Sequence, residues 1–539
     1  MSSRFASFLL LASGALASQQ HSNSLFTHSV THLDGVWSVH AHLHPSALAF
    51  GSVSQDVEHA SNFGVLNVAT ANLTDDSTDL DLAFAAGFLE ASLTSERITS
   101  SVKNLYCQVS CDGSVPASVQ HYLDTQLAWT EANILSHADD PYWQFVSLTL
   151  SQWKGAVAGY NATLASEDVV DVVWALRLAN FVGDLFDIIP ATDVGKRRDF
   201  DAMTNDELVK FQVSTGHCSA IVKLADDLSD IFWGHSSWFV YSDMIRYYKT
   251  YDFSSLKLPM ASKKMSFSSY PGMLSSLDDF YLMHDSGLAM VQTTNNIFDN
   301  DLYDLVVPES LPAWMRVRAA NSLSKSGSDW YSNVARYNSG TYNNQYMVVD
   351  TNKFTPGNAV QPGTLWVVEQ IPGLVVGADA TNVLQFSYFA SFNVPYFPEI
   401  YVKSGYPAVD AKNGRAEFSE YQLAPRAQIF RRDHTTVTDI TGLQEILRSN
   451  TFGTGDPLAP DPFSAVCSRG DLATPPFAGG CYDSKGTSAT LFREGQAWIV
   501  NGPTAQGQPP FVWAGELAEN NEHIDQPDVW DFEWELMTM

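Results

Sequence analysis

Apolar residues recur at helical spacing through most of residues 80–188, and from Cys218 onward they alternate in short runs divided by Gly, Pro and Asn. A chain that places its long helices first and most of its strands later does not read as repeated strand–helix crossover units. The switch points instead to a layered α+β fold. Two strands precede the helices, at 35–40 and 64–68. Helical spacing then covers 80–105, with Glu96 and Arg97 exposed, 118–164, carrying Trp129, Trp143 and Trp153, and 167–188. Residues 190–205 are polar and aperiodic and read as a surface loop, followed by a brief helical pattern at 206–211. A strand is predicted at 218–224, a segment turning helical towards its end at 229–248, and hairpins over 265–307. Helix is predicted again at 311–337, and strands at 346–350 and 365–378. Helices covering both faces of two stacked sheets fit this order, although the pattern does not itself establish stacking.

The first residues read as a secretory leader: Arg4, an apolar run, and the small-x-small site Ala15-Leu16-Ala17. The chain then divides into residues 1–17 as leader and 18–539 as the mature protein. No later stretch is apolar for long enough to span a bilayer. Sequons at Asn72-Leu73-Thr74 and Asn161-Ala162-Thr163 fit the secretory route, and a lysosomal or secreted protein is expected.

Sixty acidic residues against thirty basic give a formal charge of −30, which repels phosphate backbones and argues against nucleic acid as a partner. Five cysteines are an odd number for an oxidising compartment. Cys107 with Cys111, and Cys467 with Cys481, are close enough in sequence for two local disulfides. Cys218 is left over, and composition alone favours an inert buried thiol over a nucleophile. There is no zinc-ligand spacing, no His-Glu-x-x-His and no phosphate-binding Gly loop, so no metal or cofactor is expected.

The run His217-Cys218-Ser219-Ala220-Ile221-Val222-Lys223, followed by His235 and Trp238, resembles the phospholipase B-like family. Ordered matches continue along most of the chain. They include Thr293-Thr294-Asn295, residues 337–345 and 365–373, Ser391-Phe392-Asn393-Val394-Pro395, Pro425-Arg426-Ala427, and Gln526-Pro527-Asp528. The resemblance implies the four-layer αββα sandwich of N-terminal nucleophile hydrolases. It also implies self-cleavage between His217 and Cys218, leaving associated fragments 18–217 and 218–539 as one composite domain. It transfers the nucleophile to Cys218 and points to His235, Trp238, Asn393 and Arg426 as site residues, with Thr294 and Asn295 as further pocket candidates.

Such a site has a physical logic. After cleavage, one residue carries both a thiol and an α-amine whose ordinary pKa is about 7.7–8.0, so the amine serves as a built-in base. Asn393 is the candidate oxyanion donor, Arg426 the candidate clamp on a carbonyl or carboxylate, His235 an orienting group and Trp238 a pocket wall. Taken without the resemblance, each reads first as a structural residue: Asn393 as a loop residue bonding backbone, Arg426 as an ion-pair partner, Trp238 as core and His235 as a hydrogen-bonded histidine. The expected substrate is a lipid or N-acyl small molecule, cleaved at an ester or amide; a homodimer is one open arrangement. The competing reading is a lumenal lipid-binding protein whose cleavage is maturation without turnover.

Overall fold

The computed structural model describes residues 25–72, 77–165, 171–204, 207–208, 211, 218–277, 280–413 and 420–539. The leader at 1–17 and His217 lie outside them. The chain opens with strands β1 (His28–Leu33), β2 (Val36–His40), β3 (Ala49–Ser54) and β4 (Phe63–Thr70). Five helices follow: α1 (Asp79–Leu93), α2 (Ser95–Leu105), α3 (Ala117–Ser136), α4 (Pro141–Thr163) and α5 (Val172–Thr192). Their starts are written locally. Thr78 and Asp81 form a capping box at α1, and Asp140 and Asp171 cap the backbone N–H groups of Tyr142 and Trp174. On α4, Gly155 and Gly159 lie against the Phe84 and Phe88 carbonyls of α1, where a side-chain carbon would overlap backbone.

After the helices come β5 (Ser219–Leu224), β6 (Ile231–Val240), β7 (Arg246–Asp252), β8 (Lys264–Ser269), β9 (Phe280–Met283) and β10 (Leu288–Thr294). Helices α6 (Ala313–Leu323) and α7 (Gly327–Val334) lead to β11 (Asn344–Asp350), β12 (Leu365–Ile371), β13 (Leu374–Asp379) and β14 (Tyr388–Ser391). Helices α8 (Pro425–Asp433) and α9 (Ile440–Leu447) precede β15 (Gly479–Ser488), β16 (Gln496–Asn501), β17 (Phe511–Val512), β18 (Val529–Trp530) and β19 (Glu535–Thr538).

Among the described residues, one sheet runs β13-β12-β11-β10-β9-β8-β7-β4-β3-β1-β2 and another β14-β5-β6-β15-β16-β19. The large sheet is antiparallel except where β4 runs parallel to β7, Phe63 opposite Arg246 through Ala69 opposite Asp252. That pair joins the strands before the helices to those after them. Residues from both sheets, among them Val222, Trp233, Leu282, Val291 and Ile499, share one core. The other face of the large sheet packs on α1–α7. Ile221 and Phe232, on the other face of the small sheet, pack with Phe430 of α8 and Leu443 and Leu447 of α9.

Two expectations are corrected. Residues 229–248 hold no α-helix; they contain β6, a 3-10 turn at Tyr241–Asp243 and the start of β7. Nine of the ten residues of β6 are buried, so both faces are apolar or small and the alternation that marks a strand is lost. In β7, Arg246 and Lys249 look like solvent positions but are buried against Asp483 at 2.9 Å and Glu90 at 2.7 Å. Pro190, expected to open a loop, sits in the last turn of α5, where its missing N–H removes one backbone hydrogen bond just before the helix ends at Thr192.

Candidate active site

Cys218 immediately precedes β5, is fully buried, and has φ +79°. Asn393 follows β14 with φ +68°. Non-glycine residues rarely enter this left-handed region, and those that do cluster where surrounding structure holds them at functional sites. Ser391 pairs with Ala220, and Ser219 pairs with Ser236. Continuing both antiparallel ladders sets Cys218 between Asn393 on one side and Ser237 on the other.

Arg426, in the first turn of α8, ties these strand ends together. Its Nη1 donates to the Cys218 carbonyl oxygen at 2.5 Å and to Ser219 Oγ at 3.2 Å, while Nη2 donates to Asn393 Oδ1 at 2.6 Å. Its guanidinium carbon lies 4.2 Å from the centre of the Trp238 ring. Burial lowers the Arg426 pKa to about 9, with the nearby Cys218 opposing that fall, so the group is cationic at neutral and acidic pH. Trp238 donates through Nε1 to the Val466 carbonyl at 3.0 Å and packs on the Cys467–Cys481 disulfide. The second expected disulfide, Cys107–Cys111, is also formed.

Asn393 is itself fixed from three sides. Its N–H donates to Thr293 Oγ1 at 3.3 Å, its Nδ2 to the Thr294 carbonyl at 2.6 Å, and its carbonyl accepts from Tyr406 Oη at 2.9 Å. Asn295 donates to Glu369 Oε1 at 3.2 Å. Glu369 also accepts from Gln345 and from the Tyr396 and Phe397 N–H groups, pinning the loop that follows Asn393. Burial pushes the Glu369 carboxyl up to about 7.

The structure therefore brings Cys218, Asn393, Arg426 and Trp238 together, with Thr294 and Asn295 alongside. His235 stands apart. It lies opposite Ala220, and its Nδ1 shares a 3.3 Å hydrogen bond with Ser237 Oγ rather than with Cys218. Burial, reinforced by Lys485, holds its pKa well below the usual histidine value, so the ring is neutral. Lys485 bonds Ser237 Oγ and Asp483, the latter at 2.6 Å. Although burial opposes it, Arg246 and Lys485 hold the Asp483 carboxyl at about 2. Thr293, Ser219, Ser237, Lys485, Asp483 and Glu369 were not singled out by sequence. For Ser219, Thr293 and Glu369 the available signal was their place inside matched runs; for Asp483 and Lys485 it was charge inside a strand-like run, which reads first as solvent-facing.

A cleft of ≈ 290 Å³ opens beside this group, with Thr294, Asn295, Asp187 and Tyr342 in its wall and Lys196 and Arg198 also lining it. Among the described residues, no three His, Cys, Asp or Glu side chains are placed to hold a metal ion, and no helix is long and apolar enough to cross a membrane. Asn72 and Asn161 are both exposed.

The sequence model described as Phospholipase B matches residues 49–537. Phospholipase B-like 1 of Rattus norvegicus is 39% identical over 493 residues, covering 91% of this chain and 87% of the relative. Phospholipase B of Crotalus adamanteus is 37% identical, covering 89% and 87%. Phospholipase B-like protein B of Dictyostelium discoideum is 37% identical, covering 87% and 82%.

Proposed function

The chain belongs to the phospholipase B family, and on that premise we propose that it is an acyl hydrolase whose nucleophile is the Cys218 thiol, made N-terminal by cleavage after His217. The observation that carries the reading is Arg426 holding the Cys218 carbonyl at 2.5 Å and Asn393 at 2.6 Å, with both residues in left-handed backbone. A guanidinium fork on a residue's own carbonyl fixes that residue's backbone and leaves its side chain and amine for chemistry. The layers of helices and two sheets are read as the αββα sandwich of N-terminal nucleophile hydrolases.

In the mature enzyme the Cys218 α-amine and thiol share one proton, and the cationic Arg426 favours the thiolate. Sulfur attacks the acyl carbonyl carbon and the carbonyl oxygen becomes an oxyanion, held by the Asn393 amide and backbone N–H donors. The ammonium gives its proton to the leaving oxygen or nitrogen as that bond breaks. Water, deprotonated by the same amine, then attacks the thioester, releasing the fatty acid and restoring the thiol. His235, neutral and bonded to Ser237, acts as a positioning residue on the neighbouring strand. The leader, the exposed sequon asparagines and the disulfides support a secretory route to the lysosome or the exterior.

The experiment is fatty-acid release by purified, cleaved protein from a phospholipid and from an N-acyl amide, with labelling by an electrophilic acyl probe. Release and labelling that both vanish in Cys218→Ala support the reading. Release that survives that change overturns it.

A further inference from the structure

Self-cleavage makes a demand on Cys218 that turnover does not. Before the chain is cut, the Cys218 nitrogen is the amide of its bond to His217, so the built-in amine is not there to activate the thiol. Groups already folded around the sulfur must poise it. Arg426 is engaged with the Cys218 carbonyl, Ser219 Oγ and Asn393 Oδ1, and His235 is neutral.

A second set of side chains reaches Cys218 from the neighbouring strands. Ala220, Val222 and Leu224 of β5, with Ile231 and Trp233 of β6, lie in the core between the sheets. The two-residue period of a strand carries that face on to Cys218 along β5 and to His235 and Ser237 along β6. Ser219 pairs with Ser236, which makes Ser237 the next cross-strand neighbour of Cys218, and Cβ atoms of such neighbours stand about 4.5–5.5 Å apart. On the far side of β6 runs β15, where Asp483 pairs with Ser237 and Lys485 with His235. Three strands thus set Cys218, Ser237 and Asp483 in one row, and Ser237, His235, Asp483 and Lys485 are all fully buried.

Lys485 Nζ donates to Ser237 Oγ and, at 2.6 Å, to Asp483 Oδ1. Arg246 holds the other Asp483 oxygen at 2.9 Å, and the carboxyl stays at about 2, so a carboxylate faces Lys485 at acidic and neutral pH. An ammonium only donates. The Ser237 oxygen therefore accepts from it, and the Ser237 hydrogen is left for His235 Nδ1, at 3.3 Å, or for the Cys218 side chain. A buried Lys–Asp pair is often no more stable than apolar residues of the same volume. The layer between the sheets is apolar from Val222 to Ile499, and these charges stand at the end of it that holds Cys218.

We propose that Lys485, acting through the Ser237 hydroxyl, is the positioning residue that poises the Cys218 thiol for self-cleavage. Ser237, polarised by the ammonium, donates to the sulfur as the thiolate forms. Sulfur attacks the His217 carbonyl carbon and the bond from that carbon to the Cys218 nitrogen breaks. The proton given up by the thiol ends, carried by water, on that nitrogen. Water then hydrolyses the thioester, leaving a His217 carboxylate and a free thiol beside the new amine. The inference rests on Cys218 as the nucleophile.

The test pulse-labels newly made full-length chain and follows the appearance of the two fragments on a denaturing gel, in wild type, Ser237→Ala, Lys485→Met and Cys218→Ala. Ser237→Ala and Lys485→Met should each slow cutting by about 30-fold, the loss of one charge-assisted hydrogen bond. The fraction that has been cut should turn over with a much smaller loss in kcat, about 3-fold or less, because the amine now serves as base. A purely structural role would depress both alike. Cutting at the wild-type rate in Ser237→Ala or in folded Lys485→Met, or equal losses in cutting and turnover, overturns the proposal. Should Lys485→Met not fold, Ser237→Ala, which removes only one oxygen, decides alone. Normal cutting of Cys218→Ala overturns the nucleophile itself; uncut Cys218→Ala beside normally cut Ser237→Ala and Lys485→Met overturns Lys485 alone.

Discussion

Arg426 and Cys218 are joined through the cysteine's carbonyl oxygen, which accepts from Arg426 Nη1 at 2.5 Å. A lysine has one compact ammonium and cannot reach that carbonyl, Ser219 Oγ and Asn393 Oδ1 in one planar fork. Arg426→Lys is therefore expected to lower kcat about 100-fold, roughly 2.7 kcal/mol, with a smaller change in KM. Steady-state kinetics on purified cleaved protein measure it. An equal loss carried entirely by KM contradicts the positioning role.

Three buried carboxyls give the stability a predictable pH dependence. Burial pushes Asp187 and Glu369 up to about 7 and Asp184 to about 6. In the unfolded chain they ionise near pH 4, so folding takes up protons between about pH 4 and 7. Their contribution is complete below pH 4 and is lost as pH rises through 7, on the order of 3 kcal/mol for each. Asp483, held at about 2, works in the opposite sense but only as pH falls below about 4. Thermal melts should show a higher midpoint at pH 5 than at pH 8, and Asp187→Asn should narrow the difference. A midpoint that rises steadily from pH 5 to 8 counts against this account.

The parallel ladder between β4 and β7 crosses the proposed cut, since β4 belongs to residues 18–217 and β7 to 218–539. Cleaved protein should therefore elute as one species in native gel filtration and run as two bands on a denaturing gel. Separation of the fragments in buffer without denaturant is the contrary outcome.

The Cys467–Cys481 bridge lies under Trp238, which lies under Arg426. Replacing both cysteines by serine releases a loop of sequence separation 14 and is expected to cost about 3 kcal/mol. Trp238 loses its backing, so kcat should fall as well. Stability loss with unchanged kcat would separate the disulfide from the site.

Much of the layering was legible before the structure. Residues 35–40 and 64–68 carry short alternating runs that fall on β2 and β4, residues 346–350 are strand-like and fall on β11, and the early helices carry their own caps. The run through Trp233 and Trp238 was not legible, because β6 is covered on both faces and a doubly buried strand has no polar period. At the site, family motifs pointed to Cys218, Asn393 and Arg426, which the structure brings together. The buried Asp483–Lys485–Ser237 network was not legible because Ser237 is far in sequence from the other two and each charge alone reads as solvated. His235 fell inside a motif, yet motif membership does not say which neighbour a ring will face.

The most direct measurement is N-terminal sequencing of the mature fragments combined with intact mass after treatment with an acyl probe. The account predicts a fragment that begins at Cys218 and carries the acyl adduct on that residue. A full-length chain that hydrolyses substrate without being cut, or an adduct on any other residue, contradicts it.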